Sequence, residues 1–248
     1  MQVIATSTEL RKEPDYSASL ETELLAGTLF EVEGEHHHPL DNSRWYFGRS
    51  AFDGYVGWVN SSGLSRIITT PTHRVSVVRT PVYFEPDFKS PRRSMLSMNA
   101  QVCVVEEKDE YAKLDHFGWV FKDQLVLAGK QATDFVAEAM KLVGTPYYWG
   151  GFDTNHGIDC SAVVQHALFA CGITVPRNSG DQQKAIGVAC DDLPCERGQL
   201  LFWPGHVGIV VSSTELLHAS IFCRNVAIEP LEKAIAERGE PTARKRIA

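Results

Sequence analysis

One cysteine and two histidines are the side chains in this sequence best suited to nucleophilic catalysis. Cys160 lies in the run Gly157-Ile158-Asp159-Cys160-Ser161, where a loop meets a predicted helix. A thiol at a helix N-terminus lies at the positive end of the helix dipole, beside unpaired N–H groups, and this position predicts a lowered pKa. The thiolate is the nucleophilic form of cysteine. The alternative for Cys160 alone is a buried structural cysteine, which is a common fate of free cysteines.

His206 and His218 are predicted to meet across a β-hairpin. Residues 206–211 and 215–219 have the pattern of strands, with a turn at 212–214. A three-residue turn pairs residues whose numbers sum to 426, which places both imidazoles on one face of the sheet. A register summing to 424 places them directly opposite, whereas an odd register separates them.

Together with Cys160, the two histidines predict a catalytic triad. Cys160 is the nucleophile, His206 the general base and acid, and His218 the group that orients His206. A lone strand histidine is more often a hydrogen-bonded core residue. Two of them on one face, beside a cysteine at a helix start, favour catalysis instead.

The elements that position this triad follow from hydrophobic periodicity. Apolar residues at 132, 135, 136, 139, 140 and 143 form one helical face, which Thr133 or Asp134 caps and Gly144 ends. A second helix begins at Cys160 and stops at Gly172, with a buried stripe at 163, 164, 167, 168 and 171. Strands at 199–203, 206–211, 215–219, 222–228 and 242–247, with a helix at 231–238, complete an α+β fold whose helices precede an antiparallel sheet.

The first half of the chain contains an internal repeat. Glu13-Pro14-Asp15-Tyr16 recurs as Glu85-Pro86-Asp87-Phe88, an offset of 72, and Gly57-Trp58-Val59 recurs as Gly118-Trp119-Val120, an offset of 61. The difference, 72 − 61, means that the first copy has 11 extra residues, among them His36-His37-His38. Short β-like runs in copies of this size predict two small β-barrels.

Adjacent histidine side chains diverge, so we expect a solvated loop at 36–38 rather than a metal site.

Composition and charge exclude several partner classes. The 248 residues are 44% hydrophobic and 22% charged, which is typical of a globular protein. Net charge is −7, divided as −4 over residues 1–130 (14 basic, 18 acidic) and −3 over residues 131–248 (10 basic, 13 acidic). Since neither half is basic, we expect no nucleic-acid partner. No stretch approaches the ~18 consecutive apolar residues of a membrane span, so we expect no membrane partner.

Cysteine usage and the N-terminal pattern predict a cytoplasmic location. The first residues lack the basic and apolar regions of a signal peptide. The six cysteines show no CxxC spacing and are expected to be reduced thiols. The sequence leaves the oligomeric state open.

The motifs after residue 131 resemble the NlpC/P60 family of cysteine peptidases in order and spacing. The matching runs are 144–151, Asp159-Cys160-Ser161, Pro176-Arg177-Asn178-Ser179, 198–202, 206–209 and Leu217-His218-Ala219. The Gly-Trp-Val repeat resembles bacterial SH3 (SH3b) domains. The resemblance implies SH3b domains at 1–66 and 67–128, then a papain-like NlpC/P60 catalytic domain at 129–248. This arrangement is similar to that of γ-D-glutamyl-L-diamino acid endopeptidases, which trim cell-wall peptides.

The resemblance also implies roles for individual residues. The family triad falls on Cys160, His206 and His218, and substrate contacts fall on Tyr148, Asp159, Ser161 and Ser179. Asn178 stands where the family motif usually has Asp. The first SH3b domain is implied to bind the free amine of the substrate through an amine pocket, formed by Glu23, Tyr55 and Asp159. The alternatives are a core aromatic for Tyr148, a helix cap for Asp159, a solvated barrel residue for Glu23 and a packed strand residue for Tyr55.

The function implied is hydrolysis of the bond after γ-D-glutamate in short muropeptides, with no metal or cofactor. One alternative is a cell-wall peptide binding module whose C-terminal domain is inactive. Another is a related Cys–His amidase or acyltransferase on the same fold. The sequence leaves open which diamino acid is accepted and whether intact peptidoglycan is a substrate.

Overall fold

The computed structural model describes residues 1–247, which fold into two compact units. Residues 1–130 and 150–155 form the first unit, and residues 131–149 with those from 156 onward form the second. Among the helices of the described chain, none combines the length and the apolar character needed to span a membrane.

The first half of the first unit is made of antiparallel strands. They are β1 (Gln2–Val3), β2 (Ser7–Arg11), β3 (Leu20–Leu25), β4 (Phe30–His37), β5 (Arg44–Ser50), β6 (Val56–Asn60) and β7 (Leu64–Ser65). Five strands pair in the order β3-β2-β6-β5-β4, and β1 pairs with β7. Their buried apolar side chains form one core cluster: Val3, Leu10, Leu24, Phe30, Tyr46, Val59 and Leu64.

The second half of this unit repeats that topology. Its strands are β8 (His73–Val75), β9 (Arg79–Tyr83), β10 (Arg92–Ser97), β11 (Gln101–Val102), β12 (Val104–Lys108), β13 (Tyr111–Leu114), β14 (Gly118–Phe121) and β15 (Leu125–Leu127). The sheet order β10-β9-β14-β13-β12 reproduces the order of the first copy. Gly27 and Asn99, which are 72 residues apart, both adopt left-handed backbone, with φ of 82° and 70°. The repeat inferred from the sequence is therefore confirmed, and the extra residues of the first copy lengthen its β4–β5 hairpin.

The second unit packs helices against one antiparallel sheet. In chain order its elements are α1 (Phe135–Lys141), α2 (Cys160–Ala170), α3 (Ser179–Ala185), β16 (Val188–Ala189), β17 (Gln199–Trp203), β18 (His206–Ser212), β19 (Glu215–Ser220), β20 (Asn225–Pro230), α4 (Leu231–Arg238) and β21 (Ala243–Arg246). The strand order is β16-β21-β17-β18-β19-β20. The predicted α+β class is confirmed.

Helix α2 lies at the centre of the second unit. It contacts β18 and β19, and all of its residues except Phe169 are buried. The expected stripe is correct for four of its five positions, but Cys171 is only half-buried because it is the C-cap residue. Helix α3 was not predicted, and β20 begins at Asn225, three residues later than expected.

Candidate active site

The helix cap at Asp159 fixes the position of Cys160. Asp159 has extended backbone, with φ −94° and ψ 179°, and its Oδ1 accepts a hydrogen bond from the backbone N–H of Ala162 at 2.9 Å. An aspartate in this position satisfies one of the unpaired N–H groups of the first turn. Cys160 is therefore the first residue of α2, as the sequence predicted, and it is buried, with 6% of its surface exposed.

A buried ion pair anchors the same cap. Arg177 donates to both carboxylate oxygens of Asp159, through Nη1 at 2.9 Å and Nη2 at 2.7 Å. Nη1 also donates to Ser161 Oγ at 2.9 Å, and that hydroxyl donates to Asp159 Oδ1 at 3.0 Å. The predicted substrate contacts Asp159 and Ser161 thus lie together in one network, where they hold the helix start. Sequence reasoning placed Arg177 in a motif but missed this pairing.

The two histidines meet across the β18–β19 hairpin in the predicted register. Ile209 pairs with Leu217 and Val210 with Leu216, and both pairs sum to 426. Nε2 of His206 lies 2.9 Å from Nδ1 of His218, with the ring planes at 68°. Both rings are buried, with exposures of 6% and 0%.

The start of β18 lies against the Cys160 thiol. Sγ of Cys160 is 4.0 Å from the carbonyl oxygen of Gly205, and the backbone N–H of Val207 donates to the sulfur. These two residues flank His206. The fold of the second unit therefore brings the sulfur of Cys160 beside the strand that carries His206, and His206 beside His218.

Burial sets the protonation state of the thiol. Burial, with a smaller contribution from the Asp159 carboxylate, raises the pKa of Cys160 to about 12. The Val207 and Ser161 N–H groups and the Arg177 charge act in the opposite direction but do not prevail. The lowered pKa expected for Cys160 from the helix N-terminus is therefore wrong. Burial disfavours the charged thiolate more strongly than the N-terminal end of the helix stabilises it.

Burial acts on the histidines in the opposite sense. It lowers the pKa of His206 to about 2, with contributions from Arg238 and His218. It lowers the pKa of His218 to about 4, with a contribution from Arg238, whereas Glu229 raises it. At neutral pH the site therefore holds an uncharged thiol and two uncharged imidazoles.

The tyrosines before Cys160 differ in their surroundings. Tyr148, the predicted site residue, is 43% exposed, and its backbone N–H donates to the carbonyl of Ile158 at 3.3 Å. Tyr147 is half-buried, and burial together with the charges of Cys160 and Asp159 raises the pKa of its phenol to about 12. The phenol of Tyr147 thus lies within electrostatic range of the nucleophile. The role of Tyr148 at the site stays a prediction.

The remaining predicted residue of the second unit is Ser179. It is the first residue of α3 and is buried, with 8% of its surface exposed. Nearby, Nε2 of Gln182 on the same helix donates to the carbonyl of Ser161 at 3.0 Å. This hydrogen bond joins helix α3 to the start of α2, so Ser179 lies near the end of α2 that carries Cys160.

Glu23 and Tyr55 lie in the first unit. Oε2 of the buried Glu23 accepts hydrogen bonds from the backbone N–H groups of Phe152 and Asp153, at 2.8 and 2.7 Å. The hydroxyl of the half-buried Tyr55 donates to Glu21 at 2.8 Å. The role of Glu23 and Tyr55 in the amine pocket stays a prediction.

A second group of polar side chains lies behind His218. His218, Cys223 and Glu229 bring their nitrogen, sulfur and oxygen atoms within 4.8 Å of one another, a spacing that a metal ion could use. Oε2 of Glu229 is 2.8 Å from the ammonium of Lys233. Because this cation already pairs with the carboxylate, we assign the group to hydrogen bonding around His218. Sequence reasoning missed Glu229, which no local motif distinguishes.

Comparisons with known proteins identify two families that match parts of the chain. The NlpC/P60 family matches residues 144–240, and the bacterial dipeptidyl-peptidase Sh3 domain matches residues 10–64. A γ-D-glutamyl-L-lysine dipeptidyl-peptidase of Bacillus subtilis is 28% identical over 200 residues, which cover 75% of this chain and 67% of that protein. The peptidoglycan endopeptidase RipB of Mycobacterium tuberculosis is 33% identical over 122 residues, which cover 42% of this chain and 50% of that protein.

A solved structure shares the fold over the whole chain. The crystal structure of an NlpC/P60 family protein from Bacillus cereus superimposes with a TM-score of 0.80 at 21% identity, covering 99% of this chain and 98% of that one. The chain therefore contains a bacterial SH3 domain at residues 10–64 and an NlpC/P60 domain at residues 144–240.

Proposed function

We propose that this chain is a cysteine peptidase that hydrolyses the γ-D-glutamyl–diamino acid bond of short cell-wall peptides. The observation that carries the proposal is the hydrogen-bonded His206–His218 pair on β18 and β19, beside the sulfur of Cys160 at the start of α2. A nucleophile, a base and a group that orients the base are the components of triad catalysis. L-Ala-γ-D-Glu-diaminopimelate is the model substrate.

The protonation states favour proton transfer during attack rather than before it. Nε2 of His206 is engaged by His218, which leaves Nδ1 to accept the proton of the Cys160 thiol. As the S–H bond breaks, the sulfur attacks the γ-carbonyl carbon of D-glutamate. The tetrahedral intermediate collapses to a thioester, and His206 returns the proton to the leaving amine of the diamino acid. Water, deprotonated by His206, then attacks the thioester and releases L-Ala-D-Glu, and His206 returns the proton to the sulfur of Cys160.

The relatives support the substrate class. The Bacillus subtilis relative is named for the γ-D-glutamyl-L-lysine bond, and RipB for peptidoglycan. We extend this chemistry to the present chain as a muropeptide substrate and a role in murein turnover or recycling. A cytoplasmic location belongs to the same proposal, and cysteines without CxxC spacing fit a reducing compartment.

We also propose a second SH3b domain at residues 67–128. Its support is the common strand order of the two five-stranded sheets and the left-handed backbone at both Gly27 and Asn99. On this proposal the domains are 1–66, 67–128 and 129–248.

The decisive experiment measures peptide hydrolysis by the full chain. L-Ala-γ-D-Glu-diaminopimelate and its L-lysine counterpart are incubated with enzyme, and the products are identified by mass. We expect L-Ala-D-Glu and the free diamino acid from the intact chain, and none from Cys160→Ala or Cys160→Ser. No hydrolysis by the intact chain contradicts the proposal and favours a binding module. Undiminished hydrolysis by either variant shows that Cys160 is not the nucleophile.

A further inference from the structure

The direction of the hydrogen bonds through the two histidines is fixed by the chemistry at Cys160. For His206 to accept the thiol proton on Nδ1, that nitrogen must carry a lone pair, so its proton resides on Nε2. Nε2 then donates to Nδ1 of His218, 2.9 Å away. His218 must in turn carry its own proton on Nε2, because a neutral imidazole has one donor and one acceptor nitrogen.

The Nε2 of His218 therefore needs an acceptor, and its nearest carboxylate is Glu229. Oε1 of Glu229 lies 3.7 Å from that nitrogen, and both side chains are buried, with exposures of 0% and 5%. The nitrogen has no partner within hydrogen-bond distance among the described residues. Strand pairing places the two together: His218 pairs with Ala227, and Glu229 lies two residues further on the same face of β20.

Glu229 is itself held in place from the other side. Lys233 lies 2.8 Å from its Oε2, and the thiol of Cys223 donates to its Oε1. A carboxylate can only accept hydrogen bonds, so it tolerates only the His218 tautomer with a proton on Nε2. An inward movement of less than 1 Å closes the 3.7 Å gap, and hydrogen bonds of this kind often tighten when substrate binds.

We infer that Glu229 is a positioning residue that sets the tautomers of His218 and His206, so that the lone pair of His206 points toward Cys160. It acts through the two histidines and does not touch substrate. The expected effect of Glu229 on kcat rests on the proposed function. The tautomer of His218 does not, because it can be measured without turnover.

The kinetic test compares Glu229→Gln and Glu229→Ala with Glu232→Gln, an exposed glutamate at the start of α4. Glutamine offers a carbonyl that accepts the Nε2–H, whereas alanine offers nothing. We expect alanine to lower kcat about 10- to 100-fold with KM within about threefold, glutamine to recover much of that loss, and Glu232→Gln to match the unmodified chain. Unchanged kcat in Glu229→Ala, or a loss confined to KM, overturns the inference.

The second readout is the ¹⁵N NMR spectrum of imidazole-labelled protein. We expect His218 to carry its proton on Nε2 in the unmodified chain and in Glu229→Gln, and to populate the Nδ1–H form in Glu229→Ala. The same spectra show whether each variant is folded. An Nδ1–H tautomer in the unmodified chain refutes the inference. If the unmodified chain hydrolyses no peptide, the proposed function fails, and the tautomer comparison still decides the role of Glu229.

Discussion

Replacing Asp159 with asparagine tests whether the buried ion pair holds the helix that carries the nucleophile. Asparagine keeps a side-chain oxygen for the Ala162 N–H, so it remains a good cap. It removes the charge that accepts two hydrogen bonds from Arg177. The guanidinium, whose side chain is 2% exposed, then stays in a buried position without that carboxylate.

The expected magnitude follows from burial. Removing one partner of a buried ion pair costs about 3–5 kcal/mol, and losing an N-cap costs about 0.5–2 kcal/mol. With Asp159 at 10% exposure and Arg177 at 2%, solvent screens the pair weakly. We expect Asp159→Asn to destabilise the second unit by about 3–5 kcal/mol and Asp159→Ala by about 1 kcal/mol more. The double variant Asp159→Asn, Arg177→Met removes both charges and should cost much less than the sum of its parts.

Hydrogen exchange of the peptide covering residues 160–170 is the suitable assay, because two units make global unfolding a poor two-state measurement. At about 1.4 kcal/mol per tenfold, a loss of about 3–5 kcal/mol lowers the protection factor by roughly 10²- to 4 × 10³-fold. Asp181→Asn, which breaks an exposed pair with Lys184, is the control and should change protection less than about threefold. A loss below about tenfold in Asp159→Asn, or additive effects in the double variant, refutes the reasoning.

Four further predictions concern catalysis and pH. His206→Ala should lower kcat more than His218→Ala, because His206 transfers protons directly, and equal trivial losses would exclude the triad. Tyr147→Phe should lower kcat, since the phenol of Tyr147 lies within electrostatic range of Cys160, and an unchanged kcat would contradict this; Tyr148→Phe, measured in the same assay, tests the prediction for Tyr148. Both histidines have folded pKa values below their unfolded value, so the stability that they contribute is complete above about pH 6.5 and falls toward pH 4, by up to about 1.4 kcal/mol per pH unit for each. Hydrogen-exchange protection of the peptide covering residues 160–170, corrected for the intrinsic exchange rates at pH 7 and pH 5, tests this, and His206→Gln should make the pH dependence less steep. The amine pocket predicts that N-acetylation of the substrate lowers kcat/KM by more than tenfold, and a change within about threefold would exclude that pocket.

Local signals in the sequence were enough to predict the main elements of the site. The start of α2 follows from an aspartate that caps the first turn, which depends only on neighbouring residues. The register of the β18–β19 hairpin follows from the period of two along a strand. The observed turn is shorter than expected, but an irregularity between Val210 and Ser212 preserves the sum of 426.

Contacts between residues distant in sequence were not predictable in this way. Arg177 reaches Asp159 across 18 residues, and Glu229 reaches His218 only because β20 pairs with β19 in one register. The pKa of Cys160 depends on how deeply α2 is buried, which the local run around the cysteine does not specify. Residues 150–155 are grouped with the first unit, although they lie between two segments of the second.

The raised pKa of Cys160 changes the role that can be assigned to Asp159. A carboxylate next to the nucleophile raises the pKa of the thiol, and the Arg177 guanidinium lowers it. Because these two groups form one ion pair, their effects on the sulfur oppose each other, and burial determines the outcome. The pair is therefore better suited to holding the start of α2 than to activating the thiol. The thiol must therefore be activated by transferring its proton to His206 while the sulfur forms its bond to the substrate carbonyl carbon. For this step the tautomer of His206 matters more than a thiolate formed before attack.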